Sequence, residues 1–112
     1  MDCLFCKIVK GDIPSKKIYE DDRVLAFYDI DPKAPVHFLV IPKDHIKNLL
    51  EVPSDRFDIV SHIFKVIQNI AVKLNLNEGF RIVNNCGEQG GQTVDHLHFH
   101  VLGGRNLGWP PG

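Results

Sequence analysis

Three of the six histidines in this 112-residue chain fall at every second position, as His96, His98 and His100, alternating with Leu97, Phe99 and Val101. Side chains on a strand alternate between its two faces, so this spacing puts three imidazoles on one side and three apolar groups on the other. Imidazole is poor core material, because each ring carries hydrogen-bonding nitrogens that need partners. The pattern therefore predicts a strand with one face packed and the other turned toward a site. Two chemistries suit three aligned rings. Neutral imidazole is a competent nucleophile near pH 7, and histidines at i, i+2 and i+4 can also ligate zinc together.

Residues 86–93, Cys-Gly-Glu-Gln-Gly-Gly-Gln-Thr, run directly into this segment. Gly87, Gly90 and Gly91 let backbone amides approach a ligand closely, and Gln92 and Thr93 add donors, a composition that favours phosphate. It matches neither the nucleotide loop ending in Lys-Ser/Thr nor the dinucleotide fingerprint, since a strand follows it and not a helix. Taken alone, the loop is equally an ordinary hairpin connection with glycines at positive φ. Beside the histidines it points to phosphoryl or nucleotidyl transfer, with His98 as nucleophile and His96 and His100 flanking it. A purely metal-binding reading leaves the loop without a role.

Cys3 and Cys6 make half of a tetrahedral zinc site, or else are small apolar residues beneath a short helix. A finger of the usual helical kind is excluded, because the next histidines are only His37 and His45. The formal net charge of −1, with no basic block, argues against a sequence-independent hold on nucleic acid. No apolar run approaches membrane-spanning length and no signal-peptide layout is present. A cytoplasmic protein is expected, with thiols that are free or metal-bound and not in disulfides.

At 44% hydrophobic and 24% charged residues, the chain suits one domain spanning residues 1–112. Cys3-Leu4-Phe5-Cys6 with Ile8 and Val9 predict a short N-terminal helix stopped by Gly11 and Pro14. Strands are expected over 16–19, 24–30, 37–41 and 80–85, besides the histidine strand. In the third of these, His37, Leu39 and Ile41 share a face opposite Phe38 and Val40. Ser54 is the expected N-cap of one long amphipathic helix, with Phe57, Val60, Phe64, Ile67, Ala71 and Leu74 as its buried stripe and His62 in solvent. The expected class is α+β: an antiparallel sheet of about five strands, one long helix and a short N-terminal one.

The histidine strand with Val101-Leu102 fits a His-φ-His-φ-His-φ-φ signature, and the chain resembles the histidine triad superfamily, closest to its Hint branch of purine nucleoside phosphoramidases. Motifs along nearly the whole chain carry the resemblance: Gly11-Asp12-Ile13-Pro14, Ala26-Phe27-Tyr28-Asp29-Ile30, the run over 34–43, Gly90-Gly91-Gln92-Thr93-Val94, and the segments 102–105 and 109–112. The resemblance implies a homodimer that binds a purine nucleotide. His98 matches the nucleophile, His96 and His100 its triad neighbours, and His37 a fourth histidine near the site. Asp29 matches the carboxylate that takes the ribose hydroxyls. Ile13, Phe27, Ile30 and Leu39 match the groups around the purine. Asn85, Gly91, Gln92 and Thr93 match groups that hold the phosphate and leaving group, and Trp109 lies in a tail that shapes leaving-group choice.

The resemblance also gives Cys3 and Cys6 partners, since some relatives hold structural zinc with a set that corresponds here to Cys3, Cys6, His45 and His96. Cys86 is left as a bystander. The expected reaction is hydrolysis of a purine nucleoside 5′-phosphoramidate through a nucleotidyl-histidine intermediate. Rival readings are cleavage of dinucleoside polyphosphates, a nucleotide-binding regulatory dimer, and a purely structural zinc protein.

Overall fold

The computed structural model describes residues 2–112. Helix α1 (Leu4–Lys10) is followed by strands β1 (Lys17–Glu20), β2 (Val24–Tyr28) and β3 (Val36–Pro42), helix α2 (Asp58–Lys73), and strands β4 (Phe80–Val83) and β5 (Phe99–Gly103). The strands form one antiparallel sheet in the order β1-β2-β3-β5-β4. This is the α+β arrangement that the sequence predicts.

The sheet is covered on both faces, which is why β2 and β3 read as nearly unbroken apolar runs. Val24, Ala26, Phe38, Val40, Leu97, Phe99 and Val101 pack with α2 in the larger cluster. Leu25, Phe27, Leu39 and Ile41 face the opposite way, onto Phe5 and Ile8 of α1. Cys3 caps α1, its sulfur accepting the Cys6 N–H at 3.3 Å, and Gly11 at φ +84° ends it. The triad rings and His37 lie on this α1 side.

Several sequence expectations need correction. Ser54 does not cap α2: residues Ser54–Arg56 form a separate 3₁₀ turn, and the helix starts from Phe57 with no side-chain cap. Ile67 and Ala71 do face the core, but Phe57 and Phe64 are 48% and 45% exposed. The buried stripe is completed by Ile59, Ile63, Val66 and Ile70. Segment 57–72 carries apolar residues on more than one side, so periodicity alone could not choose the face; contact with the sheet selects the β-branched ones. Phe64 instead lays its ring against the edge of Phe99, centroids 5.5 Å apart.

His62 is not a free surface ring. Its Nε2 lies 2.7 Å from Oδ2 of Asp21, which also accepts the Tyr19 hydroxyl at 2.8 Å. The other Asp21 oxygen accepts the Arg23 and Val24 N–H groups. Burial raises the Asp21 pKa, but these hydrogen bonds outweigh it and hold the carboxyl well below the usual range. The cluster ties the β1–β2 turn to α2.

The histidine run is only partly a strand. The β5 ladder begins at Phe99, paired with Val40, and the β4 ladder ends at Val83 opposite His100. His96 and His98 therefore precede the sheet. Their backbone is held otherwise: the Asn84 side-chain amide donates to the His98 carbonyl at 2.9 Å, and the Leu97 N–H donates to the Ile46 carbonyl. The alternation survives because Leu97 is still drawn into the α2-side core.

Candidate active site

The three rings have different surroundings, and backbone groups decide where each proton sits. His98 Nδ1 lies 2.7 Å from the His96 carbonyl oxygen, which can only accept, so Nδ1 carries the proton. The Nε2 of His98 is left with a free lone pair. The ring is 4% exposed and packs edge-on against Phe5, centroids 5.1 Å apart. Yet Nε2 is not sealed in: among the described residues the one buried side-chain nitrogen or oxygen without a partner is Ser15 Oγ. A buried ring with one accessible, unprotonated nitrogen is the arrangement a nucleophile needs. Burial also lowers the pKa of His98, so it is neutral near pH 7.

His100 is set by a longer chain. The Lys33 N–H donates to His37 Nδ1 at 3.0 Å, which leaves the His37 proton on Nε2. That Nε2 lies 2.9 Å from His100 Nδ1 and 3.4 Å from Asp29 Oδ2. His100 therefore accepts at Nδ1 and bears its own proton on Nε2. The His98 and His100 rings meet at 5.1 Å between centroids. One presents a lone pair and its neighbour an N–H, a pairing suited to attack at phosphorus with a donor on a phosphate oxygen.

Burial, reinforced by His98 and His37 and opposed by Asp29, lowers the His100 pKa to about 4. In the unfolded chain a histidine titrates near its ordinary value of about 6.5. Between these values the unfolded state binds more protons, so stability must fall as pH drops from about 6.5 toward 4. Denaturant unfolding at pH 7, 5 and 4 checks this. The fall should be shallower in His100→Asn, and an equal slope in both proteins would remove His100 as its source.

His96 belongs to another cluster. Its Nε2 donates to the Pro42 carbonyl at 2.8 Å, so its Nδ1 lone pair faces Cys3 Sγ at 3.4 Å and Cys6 Sγ at 3.5 Å. His45 Nδ1 lies 3.4 Å from Cys6 Sγ. Tetrahedral zinc with ordinary Zn–S and Zn–N bonds needs sulfur–nitrogen edges of about 3.6 Å. The four donors thus fit a zinc ion, and the Pro42 carbonyl supplies the outer hydrogen bond that such a histidine ligand requires. Burial, then the neighbouring Cys3, raises the Cys6 pKa, a penalty that a bound dication reverses by stabilising thiolate.

Asp29, His37 and His100 also converge, their ligand atoms all lying within 4.8 Å of one another. Metal does not suit them. With His37 Nδ1 accepting from Lys33, coordination through Nε2 would strip the ring of its last proton.

The remaining candidates are dispersed. Phe27 and Leu39 are buried walls of the α1-side cluster and Ile13 packs partly against it. Ile30 is fully exposed. Asp29 Oδ1 accepts the Asp31 N–H at 2.8 Å. Gln92 is committed internally: its oxygen accepts the Gly87 N–H and its nitrogen donates to the Lys47 and Val94 carbonyls. It braces the glycine loop. Gly90 is obligatory there, since a Cβ would come within 2.4 Å of the Cys86 carbonyl. Gly91 and Thr93, with Lys47 and Asp95, line an open cavity of about 500 Å³ whose walls include none of the triad rings. Asn85 is half-buried, and Trp109 is 82% exposed. Sequence reasoning missed Phe5, Asn84, the Lys33 N–H and the Pro42 carbonyl; three of these act through ordinary core or backbone positions that leave no motif.

The lone-pair imidazole of His98 thus stands just before strand β5 of the five-stranded antiparallel sheet, beside the proton-bearing His100 within it. The chain belongs to the HIT domain family, whose model matches residues 10–107. It is similar to a histidine triad protein from Clostridium difficile, at 56% identity and a TM-score of 0.94 over 96% of this chain and 95% of that one. A HIT family hydrolase from Legionella pneumophila is 46% identical, with a TM-score of 0.96 over 99% and 100% of the two chains. A 14 kDa zinc-binding protein from Brassica juncea is 47% identical over 99% of this chain and all of that protein. The fold is thus the α+β HIT fold, and the family supports a hydrolase in general terms.

Proposed function

We propose that this protein hydrolyses purine nucleoside 5′-phosphoramidates to the nucleoside monophosphate and amine, as in the Hint branch. The observation that carries the reading is the accessible, unprotonated His98 Nε2 in an otherwise buried ring. His98 Nε2 attacks phosphorus, a P–N bond to the ring forms, and the P–N bond to the leaving amine breaks as that amine gains a proton. Water then cleaves the nucleotidyl-histidine and regenerates the free ring. His100 Nε2–H holds a phosphate oxygen through the displacement, and Asn85, Gly91 and Thr93 supply further phosphate contacts. Gln92 acts on the phosphate through the loop it braces.

The purine lies among Ile13, Phe27, Ile30 and Leu39. Ile30 is fully exposed and so open to contact with the base. Asp29 takes the ribose hydroxyls with the lone pairs not used by the Asp31 N–H. The protein acts as a cytoplasmic homodimer in which Trp109 shapes the leaving-group side, and Cys3, Cys6, His45 and His96 hold structural zinc. Among the described residues, no helix is long and apolar enough to cross a membrane.

Mixing the protein with adenosine 5′-phosphoramidate and quenching early tests the reaction. Mass spectrometry should find AMP attached at His98, with free amine accumulating. Neither adduct nor amine would overturn the reading.

A further inference from the structure

The proton on His100 Nε2 is fixed, through His37, by the Lys33 N–H, which sits on an exposed turn between β2 and β3. Such a group can fix a tautomer only if the turn itself is held. On one side the Asp31 N–H is bound by Asp29 Oδ1 at 2.8 Å. On the other, Arg105 reaches across from the end of β5 and donates from Nη2 to the Lys33 carbonyl at 2.9 Å. The same segment presses on the turn directly: a Cβ at Gly104, whose φ is +89°, would come within 2.9 Å of Pro35 Cβ. Arg105 also folds back on its own strand end, its Nη1 lying 3.1 Å from the Asn106 carbonyl. The guanidinium thus supplies a donor that ties the Lys33 carbonyl to the end of β5.

We infer that Arg105 is a positioning residue: by clamping the Lys33 turn it keeps the Lys33 N–H on His37 Nδ1 and so holds His100 as the Nε2–H donor. Arg105 touches no reacting atom. It acts through two relayed hydrogen bonds, from Lys33 to His37 and from His37 to His100. Without the clamp, His37 can protonate at Nδ1 and accept at Nε2. His100 then turns its proton inward and presents a lone pair to the phosphate, which repels the oxygen it should bind.

The catalytic part of this inference rests on the phosphoramidase reading; the tautomer part does not. Long-range ¹H–¹⁵N spectra of histidine-labelled full-length protein near pH 7.5 should show His100 protonated at Nε2 alone. Arg105→Met keeps the aliphatic stem and removes the donor. It should give His100 a mixed tautomer signature and lower kcat for adenosine phosphoramidate about tenfold, with KM changed less than about twofold. Arg105→Lys, which restores a donor, should recover most of both. A wild-type pattern in a folded Arg105→Met, or a loss of kcat that Arg105→Lys does not relieve, would overturn the role. If the wild type releases no amine, the phosphoramidase reading fails, and the spectra alone still decide whether Arg105 sets the His100 proton.

Discussion

Replacing His98 by asparagine should leave nucleotide binding nearly intact and abolish turnover. Asparagine keeps a polar group of similar reach, and its amide can still donate to the His96 carbonyl, so the local backbone need not move. It supplies no nucleophilic nitrogen, because the amide lone pair is delocalised. The expected loss in kcat is on the order of 10⁴-fold or more, the scale seen when a nucleophile is removed from a site that still binds. AMP affinity should change by less than about threefold, because His98 is one contact among the many that a nucleotide makes. Amine release and calorimetric AMP binding, measured on the same preparation, separate the two effects. Undiminished turnover by His98→Asn would end the assignment of the nucleophile. Loss of AMP binding together with turnover would show His98 to be a binding group.

The second large effect lies at the four-ligand cluster. Cys6→Ser removes a thiolate from a set whose distances already match tetrahedral zinc. Zinc content should drop from about one ion per chain to near zero. Because an ion held by these four donors would bind the folded chain far better than the unfolded one, stability should fall by about 3 kcal/mol or more. For a chain of this size that is a drop in Tm on the order of 10 °C or more. Activity should fall as well, since the His96 carbonyl that orients His98 belongs to a residue whose ring faces the sulfurs of the same cluster. Elemental analysis and thermal melts with and without a strong chelator check this. Cys86→Ser is the comparison, because Cys86 is free and lies outside the cluster. A Cys6→Ser protein that keeps a full equivalent of zinc, or a wild type whose Tm ignores the chelator, would remove zinc from the account of stability.

These two effects meet in residues 96–98, and there the limits of a sequence argument are clearest. Alternation told correctly that Leu97, Phe99 and Val101 enter the core while the rings face elsewhere. It could not tell that the ladder starts only at Phe99, because Asn84 substitutes a side-chain donor where backbone pairing stops. Nor could it choose the buried side of α2. Phe57 and Phe64 satisfy helical spacing as well as Ile59 and Ile63 do, and only contact with the sheet distinguishes them. His62 looked solvated for a similar reason: its partner Asp21 is 41 residues away in a turn of no special pattern.

By itself the sequence determined the α+β class, the element order and the facing of the histidines, and it supplied two cysteines of a possible metal site whose histidine partners came only from the family resemblance. Each follows from local periodicity or from residue chemistry repeated at fixed spacing. Tertiary structure alone decided which nitrogen of each of the three histidines carries its proton. His96 is turned to the cysteines by the Pro42 carbonyl, His98 is freed at Nε2 by the His96 carbonyl, and His100 is fixed by Lys33 through His37. A ring's proton goes where the nearest fixed donor or acceptor sends it, and those donors and acceptors are backbone groups that every residue carries. No sequence pattern marks them until folding brings them within 3 Å of an imidazole.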